Sequence, residues 1–175
     1  METFRATALL SEVLFRLNVQ SEIIGFNENN KVFKPFSVAL NDEIREKLGG
    51  MERDVYSPDS YYNNDGHALF FASQRLQSNS AKEKRLIVLS DGLPVPSPLY
   101  AGPKWYLGKV VKEILGTTNQ LIIGLGLGPD TGHVKDYYPH ALADIDTTQL
   151  VKKLADLLRD ALVRIPTYRR PGASS

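Results

Sequence analysis

Apolar residues along this chain switch between two spacings. Ala6, Leu9, Leu10, Val13, Leu14 and Leu17 recur at helical intervals within residues 2–17, with Arg5, Glu12 and Arg16 turned elsewhere. That pattern predicts an amphipathic helix. Residues 21–26 and 31–36 read as two strands around the polar turn 27–30, a hairpin. Residues 41–48 predict a short helix with Asn41 as N-cap, ended by Gly49 and Gly50. Residues 51–64 read as irregular and polar. A further helix is predicted over 65–77, burying Ala68, Leu69, Ala72 and Leu76. Residues 85–90 follow, apolar without interruption from Leu86 to Leu89. A strand apolar on both faces belongs inside a helix-covered parallel sheet. A loop carrying Pro94, Pro96, Pro98 and Pro103 leads to a helix over 105–115, a strand over 120–125, and a Gly/Pro-rich loop over 127–140. Residues 141–145 predict a short edge strand. The last helix starts at the cap formed by Asp146 and Thr147, with Leu150, Leu154, Leu157, Leu158, Ala161 and Leu162 on one face.

Strands alternating with helices predict a three-layer, doubly wound, Rossmann-like α/β sandwich with a mostly parallel sheet. We expect one domain over 1–163 and a basic Pro/Gly/Ser tail over 164–175, where Tyr168, Arg169, Arg170 and Pro171 lie. A formal net charge of +1 over 175 residues gives no general attraction to nucleic acid or membrane. The absence of cysteine removes disulfides, thiolate metal sites and cysteine nucleophiles. Glu2, Arg5 and Glu12 break any leader pattern, and no apolar run approaches the roughly 20 residues of a membrane helix. These features set the expectation of a cytoplasmic protein.

Candidate chemistry centres on Asp91, which ends the apolar strand at the sheet edge where such folds bind ligands. Asn63, Asn64 and Asp65 precede a helix and supply oxygen donors, although Asp65 also suits a simple helix cap. Asp130, Thr131 and His133 follow another strand. Oxygen donors from separate loops, without thiolates, suit Mg²⁺.

Other chemistries fit less well. The glycines at 124, 126 and 128 invite a dinucleotide reading, but Pro129 and Thr131 stand where the fingerprint requires glycine. A hydrolase would enlist Ser90, Asp91 and one of His67, His133 and His140, yet Ser90 is not in a nucleophile elbow. The histidines read more simply as exposed loop or first-turn residues. Tyr61, Tyr62, Trp105, Tyr106, Tyr137 and Tyr138 gather in predicted loops and helix starts. Trp105 reads as core, and Tyr61 and Tyr62 either as anchors for a protein partner or as local loop packing.

Residues 1–10, 22–26, 63–69 and 85–94, with Asn63, Asp65 and Gly66 in one element and Ser90, Asp91 and Gly92 in another, carry a further pattern. In their order and spacing the sequence resembles the von Willebrand factor A-type domain over roughly residues 1–163. The likeness is greatest to the branch found in the T subunit of aerobic cobaltochelatase and related ATPase-associated proteins. The resemblance implies a Mg²⁺-dependent adhesion site, with Asp91 as the third-loop carboxylate and Asn63 at the second-loop position usually held by threonine. Asp65 would organise the loop, and Gly92 would allow the tight turn. The family's Asp-x-Ser-x-Ser loop and the first, central strand before it do not occur in these residues. The expectation is therefore an incomplete site with weak or no Mg²⁺ affinity. It would sit in a non-catalytic interaction module whose partner is a ring ATPase, a chelatase subunit, or a chain donating the missing strand. The alternative is a metal-free structural scaffold.

Overall fold

The computed structural model describes residues 2–55, 62–153, 155 and 156. The chain begins with α1 (Glu2–Arg16), then the strands β1 (Ile23–Phe26) and β2 (Asn30–Lys34), and α2 (Asp42–Gly49) and α3 (Met51–Val55). It continues through α4 (Asp65–Gln77), β3 (Lys84–Ser90), α5 (Leu107–Thr117), β4 (Gln120–Leu127), α6 (Val134–Tyr137) and β5 (His140–Ile145). Short 3-10 turns cover Pro98–Tyr100, Pro103–Trp105 and Thr147–Gln149, and the chain is helical again from Leu150.

β3, β4 and β5 form a parallel sheet in that order, with Leu86 opposite Ile122 and Leu125 opposite Leu142. The period-2 alternation of the strands sends their side chains to two cores. Leu86 and Ile122 join Leu69, Leu76, Val110 and Ile114 beneath α4 and α5. Ile123 and Leu125 join Ala6 and Leu10 of α1, with Leu150, on the opposite face. This is a three-layer α/β arrangement, compatible with a Rossmann-like or von Willebrand A-like fold. Ile122, Ile123 and Leu125 are fully buried, and each contributes about 1.5–3 kcal/mol through area removed from water.

β1 and β2 form a separate antiparallel hairpin. Phe33 packs there against Leu40, Ile44, Leu48 and Met51, and Phe4 of α1 joins them. Thus α1 straddles both sheets, its Phe4 on one core and its Ala6 and Leu10 on another. Arg75 of α4 also reaches the start of the hairpin, where its guanidinium grips both Glu22 oxygens at 2.7 Å.

Several boundaries move. Residues 51–55 are helical: the Gly50 amide still bonds the Glu46 carbonyl, and Met51 is drawn into the hairpin core. Trp105 belongs to a 3-10 turn, so α5 starts at Leu107. The loop expected over 127–140 contains α6. β4 continues past 125 to Leu127 and takes in Gly126 as well as Gly124. A Cβ at Gly124 would lie 2.1 Å from the Tyr138 ring, so this glycine makes room for a buried aromatic. The tail at 164–175, Leu157 and Leu158 lie outside the described residues. Among the described residues, no helix is long and apolar enough to cross a membrane.

Candidate functional site

The carboxyl end of β3 meets the amino ends of α1 and α4. Asp91 follows β3 and is exposed, and its Oδ2 accepts a 2.6 Å hydrogen bond from Thr3 Oγ1 in the first turn of α1. Thr3 was not singled out by sequence reasoning. Its only signal was a hydroxyl at the start of an amphipathic helix, which ordinarily reads as a local cap.

Asp65 is the first residue of α4, with Asn64 at the cap position before it. The capping role considered for Asp65 therefore passes to its neighbour by position, although the Asn64 side chain makes no cap hydrogen bond. Asp65 is 6% exposed and its Oδ2 has no hydrogen-bond partner. Burial raises its carboxyl to a pKa of about 7; its own backbone N–H opposes the rise, and the charge of Asp91 adds to it. The two carboxyls are therefore close enough to sense each other. Burial also pushes the Tyr138 phenol up, and Asp65 contributes to that shift.

Asn63 and Asn64 act as clamps. Asn63 Oδ1 accepts from the Val95 amide and its Nδ2 donates to the Leu93 carbonyl at 3.1 Å, beside an antiparallel bridge in which the Asn63 backbone N–H donates to the Val95 carbonyl at 2.9 Å. Asn64 is buried. Its Oδ1 accepts from the Ser97 amide at 2.8 Å and its Nδ2 donates to the Glu28 carbonyl at 2.9 Å. One asparagine pair thus ties the proline-rich loop and the hairpin turn to the start of α4.

Gly66 allows close approach: a Cβ there would lie 1.9 Å from the Trp105 carbonyl oxygen. Gly92 needs no special conformation, since Gly128 is the one glycine at positive φ among the described residues. The tight turn after Asp91 therefore does not depend on glycine at 92.

The histidines are more engaged than expected. His67 stacks on Tyr100 with centroids 4.2 Å apart and meets the Trp105 edge at 5.0 Å, and burial lowers its pKa. His133 Nε2 lies 3.4 Å from Ser90 Oγ, but its Nδ1 is buried without a partner. The Ser90 hydroxyl itself donates to the Gly92 carbonyl at 3.0 Å. A serine–histidine pair becomes a nucleophile when a third group orients the imidazole, and here Asp91 is turned to Thr3. Thr131 is buried, its hydroxyl accepting from the Asp144 amide at 2.8 Å, while Asp130 is exposed at φ 61°.

Tyr62 is 37% exposed, and Tyr61 lies outside the described residues. Tyr106 is exposed and packs edge-on to Tyr137 at 6.3 Å, whereas Tyr138 is buried. The described tyrosines therefore do not form one surface. Trp105 is half-buried against His67, Phe70 and Tyr100.

Below this rim, a cleft of about 680 Å³ runs between β1 and β3. α1 and α4 line its walls, and Thr3, Asn63, Asp65, Ser90 and Asp91 lie at its margin. Among the described residues, no group of three or more His, Cys, Asp and Glu side chains is arranged to hold a metal ion.

No family model matches the chain. Among solved structures, proximal thread matrix protein 1 from the mussel byssus is similar in fold, with a TM-score of 0.61 at 14% identity. The match covers 91% of this chain and 42% of that one, so the chain spans less than half the length of that protein. At this identity the likeness describes architecture, and it agrees with the layered α/β arrangement above.

Proposed function

We propose that this chain is a non-catalytic protein-interaction module of von Willebrand A type, whose recognition centre is the rim around Asp91. The observation that carries the reading is the convergence of Thr3, Asp65 and Asp91 at one end of an open cleft. Thr3 supplies a hydroxyl, Asp91 an exposed carboxylate, and Asp65 a buried oxygen without a partner. Two carboxylates and a hydroxyl suit a hard cation that keeps several waters, as Mg²⁺ does. With so few protein ligands, affinity would be weak. When bound, such a cation would offer a coordination position to a partner's carboxylate. Asp91 would be the main contact and Asp65 a secondary one. Asn63 would hold the loop, because its amide oxygen already receives the Val95 N–H. Tyr62 would border the contact. The partner class this reading favours is an assembly component such as a ring ATPase or chelatase subunit. That choice rests on the resemblance to the cobaltochelatase branch.

A metal-free scaffold is the second reading. Its specific support is the engagement of Asn63 with the 93–95 backbone and the absence of a third acid or imidazole from the group, among the described residues. Calorimetric titration with MgCl₂ separates the two. Under the adhesion reading, heats at millimolar Mg²⁺ appear in the parent chain and vanish in Asp91→Ala. Identical traces for both chains would leave the scaffold. Micromolar affinity would contradict an incomplete site.

A further inference from the structure

The sequence contains two Asp–Gly dipeptides, Asp65–Gly66 and Asp91–Gly92. Aspartate before glycine is prone to rearrange, because no side chain on the glycine hinders its nitrogen from attacking the neighbouring carboxyl. The attack closes a five-membered ring, so the glycine nitrogen must swing round beside the aspartate Cβ. A helical ψ of about −42° holds the two apart.

The fold treats these identical dipeptides differently. Asp65 is the first residue of α4 and is 6% exposed, and Gly66 is wedged against the Trp105 carbonyl. Ring closure there requires the first turn of α4 to open and part from packed backbone. Asp91 is exposed, and it and Gly92 belong to neither helix nor strand. A Cβ at Gly92 would meet nothing within 4 Å, and among the described residues no hydrogen bond holds the Gly92 N–H. Ser90 before them is paired with Gly126 in the sheet, and the Leu93 carbonyl after them is held by Asn63. Asp91 and Gly92 are therefore a short span between two anchors. Two hydroxyls restrain it, Thr3 on Asp91 Oδ2 and Ser90 on the Gly92 carbonyl. Single hydrogen bonds of this kind contribute little net free energy.

We infer that Asp91–Gly92 is a site of spontaneous isoaspartate formation, which withdraws the Asp91 carboxylate from Thr3. The Gly92 nitrogen attacks Cγ of the Asp91 carboxylic acid and a new N–Cγ bond forms. The acid's hydroxyl leaves with the amide hydrogen as water, giving a succinimide. Water then adds to one of the two ring carbonyls. Breaking the N–Cγ bond returns aspartate, and breaking the original peptide bond gives isoaspartate, so the net change is an isomerisation. In the product the main chain runs through Cβ and Cγ, one methylene longer, and the free carboxylate sits directly on Cα. With Ser90 and Leu93 anchored, the displacement falls on the rim, and the 2.6 Å bond from Thr3 is lost. The modification stands on the chain alone; its effect on Mg²⁺ rests on the adhesion reading.

The test incubates the full chain at neutral pH over weeks. Isoaspartate is then quantified at each site by peptide mapping with electron-transfer fragmentation, and by labelling with an isoaspartyl methyltransferase. It should accumulate at 91 at least about tenfold faster than at 65, one decade of barrier. In guanidinium chloride the two rates should fall within about threefold of each other. Gly92→Ala, whose Cβ meets open space, should fold as the parent does and slow the reaction at 91 at least about tenfold. An intact Asp91 in the folded chain, or equal rates at both sites there, overturns the inference. A tenfold gap that persists in guanidinium chloride, or an unslowed Gly92→Ala, overturns it as well. The isomerised chain, separated by ion exchange, should show a shifted Thr3 methyl resonance; an unmoved signal overturns the withdrawal. Under the adhesion reading this chain also loses its MgCl₂ heat. Absence of heat from the fresh chain sinks that reading alone and leaves the modification standing.

Discussion

Thr3 Oγ1 donates a 2.6 Å hydrogen bond to Asp91 Oδ2, joining the first turn of α1 to the end of β3 across 88 positions. A carboxylate at a helix amino terminus gains from the partial positive charge there, so Asp91 is held by both the hydroxyl and the helix. The contact is exposed, and its effect on stability is small. Thr3→Val should lower unfolding free energy by less than about 1 kcal/mol, read by urea denaturation. The same variant should weaken any Mg²⁺ heat together with Asp91→Ala.

Asp65 makes stability depend on pH in an unusual direction. Its folded-state pKa of about 7 lies above the ordinary 3.8, so the native state holds a proton that the unfolded chain has released. Stability therefore falls as pH rises from about 4 to about 7, and the loss is complete above the folded value. At about 1.4 kcal/mol per pKa unit the upper bound is on the order of 4 kcal/mol. Asp65→Asn should flatten this slope and be more stable than the parent at pH 8, measured by urea midpoints across pH. Mg²⁺ binding at the rim would act in the same direction by favouring the ionised form.

Glu22 and Arg75 are an unequal pair. The Glu22 side chain is 4% exposed and that of Arg75 38%. Removing the arginine strands a buried charge, while removing the glutamate leaves a cation that water can reach. Arg75→Met should cost about 3–5 kcal/mol, and Glu22→Gln clearly less. Thermal or urea unfolding of both variants checks the order; equal costs would contradict it.

Glycine substitutions separate packing from conformation. Gly66→Ala drives a Cβ into the Trp105 backbone, and Gly124→Ala drives one into the Tyr138 ring. Each should cost at least about 3 kcal/mol, the upper part of the overpacking range. Gly92→Ala meets open space and should change stability by under about 0.5 kcal/mol. Circular dichroism melts suffice as a readout.

Much of the layered architecture was legible in the chain because burial imposes period. The run from Leu86 to Leu89 could only be a strand covered on both sides, and residues 65–77 matched α4 at both ends. The Asn41 cap also held, its side chain accepting from the Ile44 amide at 2.9 Å. These features are local, and a side chain three or four residues away decides them. The bends of the chain were less readable. Met51 became helical because the hairpin core takes it in, and β4 runs on to Leu127 because Ser90 of β3 pairs with Gly126, where the missing side chain leaves room for Thr131.

The sequence by itself determined the main helices and strands, and that a carboxylate would end an apolar strand, because periodicity and turn chemistry act over a few residues. Only the tertiary structure decided that Thr3 faces Asp91, that Asp65 is buried with an oxygen unpartnered, and that Asn63 is spent on the 93–95 backbone. Those outcomes depend on where distant helix ends and strand edges come together. Spacing along the chain carries no record of which oxygen water can still reach.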